Sequence, residues 1–153
     1  MHSPVTSAIS FVLLAAIVAG SFYYVYANAP VKPWTGILAG GIITPDTPVE
    51  LRRDQDHGFL IIAVAPSSPA DLAGLRGGGS EGSIVIDGEE IPIGGDIIVS
   101  MDGRSINVLN DICAVLHQKQ AGDPVVFEVS RDGSMFETNV VLGELPQGQR
   151  TFC

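Results

Sequence analysis

The sequence predicts an α+β domain behind a single transmembrane helix. Three observations carry that expectation: an uncharged apolar run near the start, short β-rich runs punctuated by Asp-Gly pairs, and two helical segments set among them. With 153 residues there is room for one ordinary domain, not two. Hydrophobic residues make up 46% of the chain and charged residues 16%, which argues against disorder and against a charged binding tail. Seventeen acidic residues against 8 basic ones give a net charge of −9. Phosphate binding needs a basic patch and none is visible, so no nucleic-acid partner is expected. Cys113 and Cys153, forty positions apart, make neither a disulfide framework nor a four-ligand zinc site, and no cofactor is expected.

From Ala8 to Tyr26 the chain reads AISFVLLAAIVAGSFYYVY, nineteen residues without a charge. As a helix this run spans roughly 28 Å, about the hydrocarbon thickness of a bilayer. Phe22, Tyr23, Tyr24 and Tyr26 cluster at its end, where amphipathic rings suit the headgroup region. A cleaved signal peptide is the rival reading, since Ala27-Asn28-Ala29 fits the small-x-small cleavage pattern. Against it, the run exceeds the usual core of ~7–15 residues, no Lys or Arg precedes it, and Pro30 would follow the scissile bond. A soluble buried helix would need another subunit to cover it. The expected organisation is a tail over 1–7, a transmembrane helix over 8–26, and a linker over 27–33 stiffened by Pro30 and Pro33. Only Lys32 lies close to the span, so the positive-inside rule barely votes. The expected location is a single-pass membrane one, with the folded domain outside the cytoplasm.

Beyond Pro33 the runs read as strands near Gly36–Ile43, Gly58–Val64, Ser83–Ile86, Glu90–Ile93, Asp96–Met101, Val125–Ser130 and Met135–Leu142. Asp87-Gly88, Asp102-Gly103 and Asp132-Gly133 are turn signals, because Asp and Gly tolerate the positive φ of tight hairpins. The first of them makes a small inserted hairpin of Ser83–Ile86 and Glu90–Ile93. One helix is expected over Ser68–Ala73, with a serine N-cap, proline at the first helical position and Gly74 as the stop. A second is expected over Val108–Lys119. There Leu109, Ile112 and Leu116 share a face with Cys113 beside them, and Gly122 lies past the end. The stretch Arg76–Gly82 reads as a flexible loop by composition.

In this order, several segments resemble a PDZ domain of the HtrA/Deg protease type. They are Pro33-Trp34-Thr35-Gly36-Ile37, Gly58-Phe59-Leu60-Ile61, Ser67-Ser68-Pro69-Ala70-Asp71-Leu72-Ala73-Gly74-Leu75, Gly94-Gly95-Asp96-Ile97-Ile98, Asp102-Gly103-Arg104 and Val129-Ser130-Arg131-Asp132-Gly133. The resemblance covers Pro33 to about Leu145 and implies a PDZ domain over 34–146 with a tail over 147–153. It also implies function: such domains add the last residues of a partner as a strand at a sheet edge. The edge would be Gly36–Ile43, the opposite wall the helix Val108–Lys119, and Trp34-Thr35-Gly36-Ile37 the carboxylate-binding loop. Ile37, Ile112 and Leu116 would line the pocket for the final side chain, with Cys113 at its margin; the bland alternative makes them plain core. Thr35 stands where relatives usually carry an aliphatic residue. One buried aliphatic side chain and charged hydrogen bonds, each about 1.5–3 kcal/mol, set against association costs, imply micromolar affinity.

No catalysis is expected. His2, His57 and His117 are not paired with a serine in a nucleophile motif, and Gly79-Ser80-Glu81-Gly82 reads as a loop. His57 with Asp54 and Asp56 reads as a solvated loop in preference to a metal site. The leading expectation is a membrane-anchored recognition module for protein C-termini or extended peptides. The alternatives are an accessory subunit of a larger membrane complex, for which Ala15, Ala16, Ala19 and Gly20 would allow close helix contact, and a regulatory partner of a separate protease. The final Thr151-Phe152-Cys153 itself resembles a PDZ ligand. Self-capture would bring Cys153 towards Cys113, whereas a frayed terminus is the expectation.

Overall fold

The computed structural model describes residues 14, 16–24, 31–79 and 81–153. The chain divides at Pro30 into two compact units, Met1–Pro30 and Val31–Cys153. In the first, residues 16–24 are helical, and Phe22, Tyr23 and Tyr24 are exposed. Much of the expected 8–26 span lies outside the described residues; among those described, no helix is long and apolar enough to cross a membrane.

The second unit contains β1 (Pro33–Trp34), β2 (Ile37–Ile43), α1 (Val49–Arg52), β3 (Gly58–Val64), α2 (Pro69–Leu72), β4 (Ser83–Ile86) and β5 (Glu89–Pro92). After these come β6 (Ile97–Met101), β7 (Arg104–Ser105), α3 (Leu109–Leu116), β8 (Pro124–Arg131), β9 (Ser134–Val141) and β10 (Gly143–Glu144). The main sheet is antiparallel in the order β2-β3-β6-β8-β9, with β7 paired to β6, so β2 is an edge strand. A two-stranded sheet joins β1 to β10, and another joins β4 to β5. Pro33, expected in the linker, is therefore a paired residue opposite Glu144.

Alternation along β3 explains two cores on opposite faces of the sheet. Phe59 and Ile61 enter the larger cluster with Ile37, Ile98, Met101, Ile112, Val115, Leu116 and Phe127. Leu60 enters the smaller cluster with Ile43, Leu51, Ile97 and Val99, against which Ile62 and the hairpin residues Ile84, Ile86, Ile91 and Ile93 pack. The inserted β4–β5 hairpin thus caps the second face. All three Asp-Gly pairs close tight turns, with Asp87, Asp102 and Asp132 at φ 51, 47 and 52°. Helix α1 has four residues, too few to show a period, and sequence reading missed it.

Helix α2 starts where expected: the Ser68 side chain accepts from the N–H of Asp71 at 3.3 Å, and Pro69 is the first helical residue. Helix α3 is shorter than the expected Val108–Lys119. Val108 is its N-cap, and Asp111 Oδ2 accepts from the N–H groups of Asn107 (3.0 Å) and Val108 (3.1 Å). Its C-cap is His117, after which Gln118 and Lys119 bond back through tighter turns to Val115 and Leu116. The glycine stretch departs from its composition. Gly78 N donates to Ile62 O at 3.0 Å and Gly79 N to Ile93 O at 2.7 Å, so the loop is stitched between β3 and the residues after β5.

Candidate functional site

The loop from Trp34 to Ile37 is held from three sides. Thr35 O accepts from Ala70 N and Gly36 O from Ala65 N, both at 2.8 Å, while Trp34 pairs with Gly143. Gly36 has φ +88°, and a Cβ at that position would overlap the side chain of Ser68. Only glycine fits both conditions, which fixes the turn ahead of the edge strand. Thr35 is buried, and its hydroxyl oxygen accepts from the N–H of Ile37 at 3.3 Å. The departure at Thr35 therefore supplies an internal partner for an amide that the PDZ resemblance assigns to an incoming carboxylate. Trp34 Nε1 is buried without a hydrogen-bond partner among the described residues.

Ile37 on β2 and Ile112 and Leu116 on α3 belong to the same apolar cluster, each buried. The structure thus brings together the loop, the edge strand and the helix face proposed from sequence. It adds Phe59, whose ring lies against the backbone of β2 at Gly40, where a Cβ would overlap it. Sequence reading did not single out Phe59, because an apolar residue in a strand carries no mark distinguishing a cleft floor from plain core.

The cleft margin is already occupied by the chain itself. Cys113 and Cys153 form a disulfide, with Cα atoms 5.4 Å apart. The expectation of a frayed terminus is corrected: Thr151, Phe152 and Cys153 are each half-buried. The Phe152 ring meets the Phe59 ring edge-on, with centroids 5.4 Å apart and planes at 67°. Phe152 and Cys153 pack against the cluster that contains Ile37, Ile112 and Leu116. A cavity of about 140 Å³ remains beside them, lined by Lys32, Pro33, Leu116, His117, Thr151 and Cys153. Residues 149–153 form no strand, and β3 is the one strand paired to β2 among the described residues. The reason for the correction is that spacing alone does not say which face of α3 Cys113 takes, nor that the chain returns across it.

Elsewhere, His57 Nδ1 lies 2.7 Å from Asp56 Oδ1. Among the described residues, no three His, Cys, Asp or Glu side chains are grouped to hold a metal ion.

Comparison with known proteins agrees with this architecture. The family model for the PDZ domain matches residues 47–142, a stretch that begins after the Trp34–Ile37 loop. Protease Do-like 1, chloroplastic, of Arabidopsis thaliana is 34% identical over 113 residues, 70% of this chain and 24% of that protein. A probable periplasmic serine endoprotease DegP-like of Marinomonas sp. (strain MWYL1) is 30% identical over 115 residues, covering 75% and 21%. The chain spans a quarter or less of the length of these curated relatives. Among solved structures, the HtrA3 PDZ domain bound to a phage-derived ligand, FGRWV, aligns with a TM-score of 0.54 at 21% identity, covering 75% of this chain and 88% of that one. The HtrA-type protease AlgW with a decapeptide aligns at 0.58 and 18% identity, covering 76% and 30%. With a family match over most of the folded unit, the chain belongs to the PDZ domain family, of the HtrA/Deg type.

Proposed function

We propose that this chain is a non-catalytic recognition module that captures C-terminal or extended segments of partner proteins, acting at a membrane surface. The observation that carries the proposal is the apolar cluster shared by the edge strand β2, whose outer side has no strand partner among the described residues, and α3, with a segment of the same chain packed on it through Phe152. An incoming chain adds backbone hydrogen bonds along the open edge of β2. Its carboxylate meets the Gly36 turn, where the 3.3 Å bond from Ile37 N to Thr35 Oγ1 is long enough for a charged acceptor to displace it. Trp34, Thr35, Gly36 and Ile37 form the terminus end, and Ile112, Cys113 and Leu116 the facing wall. The proteases among the relatives carry this fold within much longer chains, and this proposal takes from them the peptide-binding role alone.

Attachment to the membrane is part of the same proposal. It draws on the apolar run 8–26, the helical residues 16–24 and the exposed Phe22, Tyr23 and Tyr24. A location outside the reducing cytosol draws support from the Cys113–Cys153 disulfide, a bond that persists in oxidising compartments.

The test is a titration of a fluorescent heptapeptide, Gln-Gly-Gln-Arg-Thr-Phe-Ser, against the chain with residues 151–153 removed. We expect micromolar affinity, and at least about a tenfold loss when the peptide terminus is amidated, since a charged hydrogen bond contributes roughly 1.5–3 kcal/mol. Equal affinity for acid and amide would refute carboxylate capture.

A further inference from the structure

We propose that the Cys113–Cys153 disulfide is a redox latch on the peptide cleft, holding Phe152 in place against outside chains when oxidised and releasing it when reduced. The inference rests on the peptide-capture reading and names how that site is regulated.

The position of each cysteine is the first argument. Cys113 follows Ile112 and precedes Leu116 by three residues on α3, so the bond is anchored in the wall of the cleft rather than at a remote corner. At its other end, Cys153 follows directly on Phe152, whose ring meets Phe59 on the cleft floor. Covalent closure at Cys113 therefore fixes an aromatic side chain over the apolar surface that a ligand would use.

A second argument is how little else fastens the segment. Its own hydrogen bond is long and local, Cys153 N to Thr151 Oγ1 at 3.3 Å, and Phe152 O only touches the protonless disulfide sulfur of Cys113 at 3.8 Å. No ladder joins it to β2. Apolar packing of Phe152 and Cys153, with the edge-on ring contact, and one covalent bond hold the occupant, and removing the bond leaves non-covalent packing on a short tether to compete with free peptide. The disulfide within the site raises the tail's effective concentration far above that of the chain tether alone, so an outside peptide displaces the reduced tail much more readily than the oxidised one.

Both cysteines are half-buried rather than enclosed, so a small or extended thiol reaches them. The reaction is exchange with a dithiol. One thiolate of the reductant attacks Cys153 Sγ; the Cys113–Cys153 bond breaks, and its electron pair leaves on Cys113 Sγ, which takes up a proton. The second thiol of the reductant then displaces Cys153 from the mixed disulfide and closes the reductant's own disulfide. Two electrons and two protons pass to the cysteine pair, and the dithiol is oxidised.

The experiment measures binding of the same fluorescent heptapeptide to the full chain, oxidised and then reduced with dithiothreitol. It is repeated on Cys153→Ser, on Phe152→Ala with its disulfide intact, and on the chain lacking residues 151–153, with circular dichroism confirming the fold of each. We expect the reduced chain, Cys153→Ser and the shortened chain to bind at least about tenfold more tightly than the oxidised chain. Oxidised Phe152→Ala falls between them, because the ring is gone and the bond remains. Equal binding by oxidised, reduced and shortened chains would overturn the latch and leave peptide capture standing. Absence of binding in every form, the shortened chain included, would overturn both.

Discussion

Asp96 is fully buried, and both of its carboxylate oxygens are occupied by donors. Arg131 Nε reaches Oδ1 at 2.7 Å; Arg131 Nη2 and the N–H of Arg76 reach Oδ2 at 2.7 and 2.8 Å. The same guanidinium donates to Gly74 O at 2.6 Å and lies 4.9 Å from the centre of the Phe136 ring. Hydrogen bonding to Asp96 raises the Arg131 pKa further above its ordinary range, although burial works in the opposite direction. One residue pair thus joins β8, the approach to β6 and the end of α2. Arg131→Met leaves a buried carboxylate without its counter-ion, and we expect a loss of about 3–5 kcal/mol in urea unfolding. A midpoint within error of wild type would show that Asp96 is neutralised or hydrated in some other way. Both residues were conspicuous in the sequence as parts of Gly-Gly-Asp and Ser-Arg-Asp-Gly segments, yet nothing in their spacing says that they meet. They are 35 positions apart, and only the pairing of β6 with β8 brings them together.

Helix α3 shows how an element is set by residues just outside it. Val108 carries no side-chain acceptor, so the cap is reversed: Asp111, three residues in, reaches back to the N–H groups of Asn107 and Val108, while Arg104 lies 3.1 Å from its other oxygen. These two amide bonds and then the Arg104 guanidinium, with desolvation opposing, hold the Asp111 carboxyl below its ordinary 3.8. A carboxyl depressed in the folded state stabilises the protein above the unfolded pKa, and that stabilisation is lost as pH falls through the folded value. Asp111→Asn should therefore be less stable than wild type at neutral pH, and the gap should close as pH is lowered through and below about 4. Urea midpoints across that range measure it; a gap independent of pH would assign the loss to shape rather than charge. At this scale the sequence was most legible in its turns and starts. Three Asp-Gly pairs, Ser68-Pro69 and the strand alternation all act through neighbours in the chain. The short α1 and the stitched glycine loop were not legible, because four helical residues show no period and the partners of Gly78 and Gly79 come from distant strands.

At the scale of the folded unit, the disulfide ties residue 153 back to α3. It joins residues 40 positions apart and so encloses the second half of α3 with β8, β9 and β10 in one covalent loop. Restricting the unfolded chain over such a loop contributes about 4 kcal/mol. We expect dithiothreitol to lower the urea midpoint of the full chain, and Cys153→Ser to reproduce the reduced value without reductant. Should both midpoints equal that of the oxidised protein, the cross-link would contribute nothing to the stability of the fold. The twofold division of that core follows from the sheet, since β3 sends alternate side chains to opposite faces and needs a cover on each. Helix α3 belongs to the first face, and the β4–β5 hairpin, visible in the sequence as an insertion, packs against the second.

By itself the sequence determined seven of the strands and two of the helices in their order, the three tight turns and the glycine that the Gly36 turn demands. All of these are set by backbone preferences and by alternation over a few residues, which travel with the chain. Tertiary structure alone decided that Phe59 packs against β2 at Gly40, that Arg131 pairs with Asp96, and that Phe152 and Cys153 return to pack on the larger core beside α3. Each of these depends on which side chain a distant strand or helix turns towards it, a quantity that burial and packing settle only once the sheet has formed.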